Sequence, residues 1–115
     1  MSHELTSAVN EVNAARDAIK QRYCQTTDPL SAKDYAVRYL KADHRELIER
    51  SKVDPLDEEA EFLIGIDQVM MEIEKGNWEP MREVLRSRSE MFLEDDDQES
   101  IQLGIAILNL ADSII

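Results

Sequence analysis

Two side chains of this 115-residue chain, Arg38 and His44, are the first candidates for chemistry. Arg38 and His44 stand in the stretch RYLKADH, which we predict to be helical. An arginine can stabilise the charge of a phosphate group, and a histidine can exchange protons near neutral pH. The alternative interpretation is that His44 only makes a structural hydrogen bond within the fold.

The form Arg-x-x-x-x-x-His resembles that of the helical-bundle endoribonucleases of the HEPN group. The resemblance implies an RNA-cleaving enzyme in which Arg38 stabilises phosphate charge and His44 does the acid–base work. Two features depart from that group: Tyr39 follows the arginine where a small polar residue is usual, and the surrounding sequence is acidic. We therefore keep the HEPN-like enzyme as an alternative and expect a protein that is not an enzyme.

Carboxylates could instead hold a metal ion. Glu46-x-x-Glu49 and Glu58-x-x-Glu61 lie on successive predicted helices, and they resemble part of the Mg²⁺ site in the all-α nucleotide pyrophosphohydrolases of the MazG group. The Glu-x-x-Asp pair that completes that site is missing after them. The run EDDDQES lacks the glycine and the closing glutamate of a calcium loop. We expect neither a metal site nor a cofactor.

The acidic residues are concentrated in the second half of the chain. Residues 1–53 carry nine Lys and Arg against eight acids, a net charge of +1. Residues 54–115 carry seventeen acids against four bases, a net charge of −13. Such a field repels phosphate backbones and attracts basic surfaces, so direct nucleic-acid binding is disfavoured. The alternative is that these acids only keep a small domain soluble.

The composition describes a chain that can fold as one domain. Apolar residues make up 43% and charged residues 33%, whereas aromatic residues are only 5% and Gly and Pro number three each. This balance favours helices over a β-sandwich. Cys24 is the only cysteine, which excludes an intrachain disulfide. We identify neither a secretory signal nor a membrane-spanning segment, and we expect a cytoplasmic protein without a membrane partner.

Hydrophobic periodicity predicts an all-α, single-domain bundle of about five helices across residues 1–115. Three breaks separate the first four segments. An Asp-Pro pair, typical of a helix start, stands at 28–29 and again at 54–55. Gly76 is typical of the position just after a helix end. We expect an N-cap at Ser2. The predicted segments cover about 2–26, 31–51, 55–75, the Asn77–Pro80 turn to about 93, and 97–114.

Each segment has an apolar stripe that we expect to face the core. The fifth segment is apolar on almost all sides, so it must lie at the centre of the bundle or meet a partner chain, and we expect a homodimer through it. For the first four segments the residues expected inward are Leu5, Val9, Val12, Ile19, Tyr23, Val37, Leu40, Leu47, Ile48, Phe62, Leu63, Ile66, Val69, Met70, Ile73, Met81, Val84, Leu85, Met91 and Phe92.

Gly76, Asn77 and Trp78 form the turn between the third and fourth segments. This turn resembles the inter-helix turn of tetratricopeptide repeats, and the resemblance implies a tetratricopeptide-like helix hairpin. Met81 stands where that family has a small residue, which limits the resemblance to about a dozen residues. We expect Trp78 to pack over the turn, with a partly exposed contact residue as the alternative.

These observations favour a helical protein–protein interaction module, such as an adaptor, a chaperone-like protein or an inhibitor, that binds a basic partner through its acidic C-terminal half. A first alternative is a DNA-mimic inhibitor of a nucleic-acid-binding protein, which requires the two acidic runs 54–61 and 94–99 to share a face. The second alternative is the HEPN-like enzyme. The residues expected to contact the partner are Asp54, Asp57, Glu58, Glu61, Trp78, Glu94, Asp95, Asp96 and Asp97.

Overall fold

A computed structural model describes residues 3–53 and 57–114, apart from the side chains of residues 57–59. Within these ranges the chain forms five helices and no strand, which confirms the predicted all-α bundle. The predicted Ser2 cap and the Asp54-Pro55 break lie outside the described residues. The helices are α1 (His3–Tyr23), α2 (Ala32–Val53), α3 (Asp57–Glu74), α4 (Glu79–Leu93) and α5 (Gln98–Ser113).

The helices do not share the core equally. α5 packs against α4, α1 and α2, whereas α3 packs against α2 and α4. The apolar character of α5 is explained by this central position, since Ala106, Ile107 and Leu110 are fully buried. Ile105 and Leu108 nevertheless remain 41% and 37% exposed. Homodimerisation through α5 therefore stays a prediction.

The α4–α5 pair is held at close range by Ser89 and Gly104. The buried Ser89 hydroxyl donates a 2.7 Å hydrogen bond to the Gly104 carbonyl oxygen. A Cβ atom at position 104 would lie 2.9 Å from Leu93 Cγ and 3.1 Å from the Ser89 carbonyl oxygen. Only a glycine fits this approach of the two helices without displacement of its neighbours.

The α1–α2 loop is fixed to the end of α5. The Ser113 hydroxyl accepts a 3.0 Å hydrogen bond from the Asp28 backbone N–H, and the Asn109 amide donates a 2.6 Å bond to the Tyr23 carbonyl oxygen. The Asp28 carboxylate accepts from the Leu30 N–H at 3.1 Å, so Asp28 stabilises the turn before α2. α1 ends at Tyr23, three residues earlier than predicted, and the Asn109 amide caps the Tyr23 carbonyl there.

The α3–α4 turn has the predicted geometry. Gly76 adopts a φ of +84°, which confirms it as the residue that ends the preceding helix. The Asn77 side chain accepts from the Glu79 N–H at 3.3 Å and donates to Glu72 Oε2 at 2.9 Å. Trp78 is partly buried against the core, with Lys33 Nζ 5.0 Å from its ring centroid. This position agrees with an anchoring role for the ring.

Two predicted core residues face outward instead. Phe62 on α3 is 49% exposed and Met91 on α4 is 61% exposed, so the prediction that they are buried is wrong. The reason is the arrangement of the helices: α3 is packed by α2 and α4, and the open side of the α3–α4 pair has no further helix over it in the described part of the chain. The apolar periodicity of α3 and α4 therefore reaches the surface.

A candidate protein-binding groove between α3 and α4

The open side of the α3–α4 hairpin forms a groove of about 670 Å³. Its floor contains Ile66 and Val69, which are only 3% and 4% exposed. The wall from α4 includes the partly buried Val84. Phe62 and Met91 lie together at one end, where α3 begins and α4 ends. A concave and mainly apolar surface of this kind is typical of a binding site.

One charged pair lies beneath the exposed end of the groove. The Arg88 guanidinium donates a 2.5 Å hydrogen bond to Asp43 Oδ2 on α2. The Arg88 and Asp43 side chains are only 18% and 8% exposed. The Phe62 ring covers the guanidinium, with 5.5 Å between Arg88 Cζ and the ring centroid. The positive charge of Arg88 is thus compensated by Asp43, so Arg88 attracts an acidic ligand only weakly.

The remaining charged residues of the groove are acidic. Glu61, Glu72 and Glu83 line it. Hydrogen bonds from Asn77 and the nearby charge of Lys75 hold the pKa of the Glu72 carboxyl below its usual value. Within the described part of the chain, Glu61 and Glu83 have no ion-pair partner. The groove therefore combines an apolar floor with a negative rim.

Four of the nine Lys and Arg residues of the N-terminal half form ion pairs with acids of that same half. Arg22 pairs with Asp28, and Arg50 pairs with Glu46. Further pairs within residues 1–53 are Arg45 with Glu11 and Lys52 with Glu49. Among the described residues, the only pair that joins a basic group of the first half to an acid of residues 57–114 is His44 with Asp67. The negative field predicted from the sequence therefore persists in the fold.

The predicted contact residues are distributed over two ends of the hairpin. Glu61 lines the groove, while Trp78 lies at the opposite end, at the start of α4. Glu94–Asp97 are exposed in the α4–α5 turn. Asp54 lies outside the described residues, as do the side chains of Asp57 and Glu58.

The candidate enzyme residues line separate hollows. Arg38 is exposed and lines a hollow with Glu11 and Arg45. His44 lines another with Asp67, whose Oδ1 lies 3.0 Å from His44 Nε2. A spacing of six residues turns side chains to different faces of an α-helix, which accounts for this separation. The structural interpretation of His44 is supported by its contact with α3.

Among the described residues, 3–53 and 57–114, no group of three or more His, Cys, Asp or Glu side chains is arranged to hold a metal ion. None of the helices described is both long and apolar enough to cross a bilayer.

Comparisons with protein-family models, with curated proteins and with solved structures give no match.

Sequence reasoning missed most of the groove. Gly65, Glu83 and Arg88 line it, but none was predicted as a contact residue. Ile64 and Met71 extend the apolar residues of α3 beyond one stripe, and both are more than half exposed. Neither lines the groove, so they gave no signal for it.

Proposed function

We propose that this protein is an interaction module, acting as an adaptor, a chaperone-like protein or an inhibitor, that binds a partner protein through the α3–α4 groove. The observation that carries the proposal is the combination of an apolar floor with the carboxylates of Glu61 and Glu83, which have no ion-pair partner among the described residues. A partner with exposed apolar side chains flanked by Lys or Arg complements both properties. The cytoplasm suits a chain whose single cysteine is a free thiol.

Apolar contact and charge have different parts in this interaction. Burial of groove residues such as Val84 and Phe62 would supply most of the affinity, because apolar area leaving water is the main favourable term in association. The carboxylates would select basic partners and accelerate their encounter. Exposed apolar patches in small soluble proteins are otherwise costly, since they promote aggregation, and this supports a binding role for the groove.

Affinity purification from cells that express the protein tests the proposal. The groove variant Glu61→Gln/Glu83→Gln is compared with Glu4→Gln/Asp17→Asn, which removes the same charge from exposed positions of α1. We expect the native chain and the α1 variant to retain the same amount of partner and the groove variant to retain less of it, because the variant loses the charges but keeps the apolar floor. Retention by the native chain should also fall as salt rises from about 0.1 M to 1 M, where screening is nearly complete.

The contrary result is equally clear. If the groove variant retains the partner as well as the native chain does, and if salt has no effect, then the acidic groove is not the binding surface. Circular dichroism of both variants establishes that they are folded, so a loss of binding cannot be attributed to unfolding.

A further inference from the structure

The groove has the length of three helical turns on both of its sides. Its lining residues run from position 61 to 72 on α3 and from 80 to 91 on α4. At 1.5 Å per residue, each side is about 16 Å long. A segment lying along the groove would thus contact both helices over about three turns.

The side chains of the groove leave space for those of a third helix. On α3 the lining positions include 62, 65, 66 and 69, and on α4 they include 80, 84, 87 and 91. Spacings of three and four residues form the ridges that interlock when helices pack. Gly65 opens a gap in the α3 ridge, since a Cβ atom there would meet nothing within 4 Å. An apolar side chain from a partner can enter at this gap.

A helix suits this groove better than an extended strand does. Both walls are α-helices, whose backbone N–H and C=O groups are bonded within each helix away from its ends. An extended segment would bring its own backbone groups onto the apolar floor of Ile66 and Val69 with no backbone partner there. A helical segment satisfies these groups internally, so only its side chains have to match the groove.

The negative charge of the groove favours a bound helix that carries basic residues on both of its flanks. Glu61 and Glu83 stand on opposite walls, one on α3 and one on α4. Arg88 is already held by Asp43. A second copy of this chain is a poor occupant, because residues 54–115 carry a net charge of −13 and would repel the same face of a partner copy.

We propose that the groove binds an amphipathic helix of about three turns in the partner, with apolar side chains at i, i+3 or i+4, and i+7 and with Lys or Arg on both flanks. This inference rests on the proposed function, because it names the kind of partner segment that the groove accepts. The apolar residues contact Ile66, Val69 and Val84, and one of them enters the gap at Gly65.

Two synthetic peptides of identical composition test the inference. Each has about 14 residues of leucine and lysine, one in an amphipathic helical order and the other in strict alternation, which favours a strand. We expect the helical peptide to bind about tenfold more tightly or better in isothermal titration calorimetry. In ¹H–¹⁵N spectra it should perturb residues 61–72 and 80–91 most strongly.

A substitution that fills the groove provides the matched control. Gly65→Leu places a side chain in open space and favours the helix, so the fold should be retained. It should weaken binding of the helical peptide about tenfold, whereas Gln21→Leu, at an exposed position on α1, should not. Equal binding of both peptides, perturbation elsewhere, or full binding by Gly65→Leu would each overturn the inference.

Failure of this inference can be separated from failure of the proposed function. If Glu61→Gln/Glu83→Gln retains less of the cellular partner while the helical peptide shows no preference over the alternating one, the groove binds a partner segment that is not a helix. If sedimentation shows self-association of the native chain that Gly65→Leu abolishes, the groove is occupied by a second copy and the inference is wrong.

Discussion

Asp43 and Arg88 join α2 to α4 through an ion pair that is largely shielded from water, with 2.5 Å between Asp43 Oδ2 and the guanidinium nitrogen. The pair lies under Phe62 at the end of the groove. It connects the N-terminal half to the acidic half, and it keeps Arg88, which lines the groove, from presenting its charge there. Its position makes it both a structural link and a determinant of the groove's electrostatics.

Removal of one partner should be costly. We expect Asp43→Ala to lower the free energy of unfolding by about 3 kcal/mol, because Arg88 would be left as an uncompensated, mostly buried charge. The cost should stay near the low end of the usual range, since the guanidinium still contacts the Phe62 ring and is partly exposed. Urea denaturation followed by circular dichroism measures the difference.

The Arg86–Asp112 pair is a matched control for this prediction. It also joins two helices, but its atoms are 3.7 Å apart and its side chains are 47% and 51% exposed. Asp112→Ala should therefore cost less than about 1 kcal/mol. If the two substitutions are equally mild, the Asp43–Arg88 pair does not hold α4 to α2. The double variant Asp43→Leu/Arg88→Met should recover most of the loss, since no buried charge remains.

Two mid-helix glycines should respond oppositely to alanine. Gly104→Ala should lower the free energy of unfolding by about 1–2 kcal/mol, because its methyl group would overlap Leu93 and the Ser89 carbonyl oxygen. Gly65→Ala should raise it by about 0.5–1 kcal/mol, since its methyl group meets open space and alanine favours the helix. Equilibrium denaturation of both variants checks the pair. Equal effects of the same sign would mean that α4 and α5 are not in close contact at Gly104.

The sequence predicted the helices well because the residues that begin and end them act locally. Gly76 ends α3 through its own backbone conformation, and Asp28 stabilises a turn through its own side chain. Such signals depend on a few neighbouring residues, so they can be recognised in the sequence without knowledge of the fold. The all-α class followed from periodicity, which is also a local property.

The groove was not predicted, because burial depends on which helices meet. Phe62 and Met91 follow the same periodicity as core residues such as Met81 and Leu85, yet they lie at the open side of the α3–α4 pair. Nothing in their spacing distinguishes a stripe that meets the core from one that faces a partner. Likewise, the position of Arg88 over Asp43 joins residues 45 positions apart in the chain. The charge asymmetry could be predicted, because a count of acidic and basic residues in each half of the chain is enough to find it.

Trp78 should prove to be an anchor of the fold more than a contact for a partner. Trp78→Ala should lower the free energy of unfolding by about 2 kcal/mol, less than for a fully buried tryptophan because the ring is only partly buried. Trp78→Phe should cost less, since it retains a ring near Lys33. Unfolding of both is followed by circular dichroism. A variant that loses its partner while its stability is unchanged would support the alternative of a contact residue.

The Asp28 carboxylate should give the fold a dependence on acid. The hydrogen bond from Arg22 at 2.6 Å lowers the pKa of this carboxyl in the folded chain. The ionised carboxylate therefore stabilises the folded chain, and this contribution is complete above the unfolded-state pKa of about 4. It is lost as the pH falls through the lower folded-state pKa. The advantage of the native chain over Asp28→Asn should therefore be constant near neutral pH and shrink below about pH 4. Urea denaturation of both chains at a series of pH values measures that difference and cancels the effect of the other acids, which are common to the two chains.

Arg22→Gln serves as the second variant, because it removes the cause of the pKa shift and leaves the Asp28 carboxyl in place. It should abolish most of the same pH dependence, and a native chain whose advantage over Asp28→Asn grew in acid would contradict the assignment of the Arg22–Asp28 pair as the link that stabilises this loop.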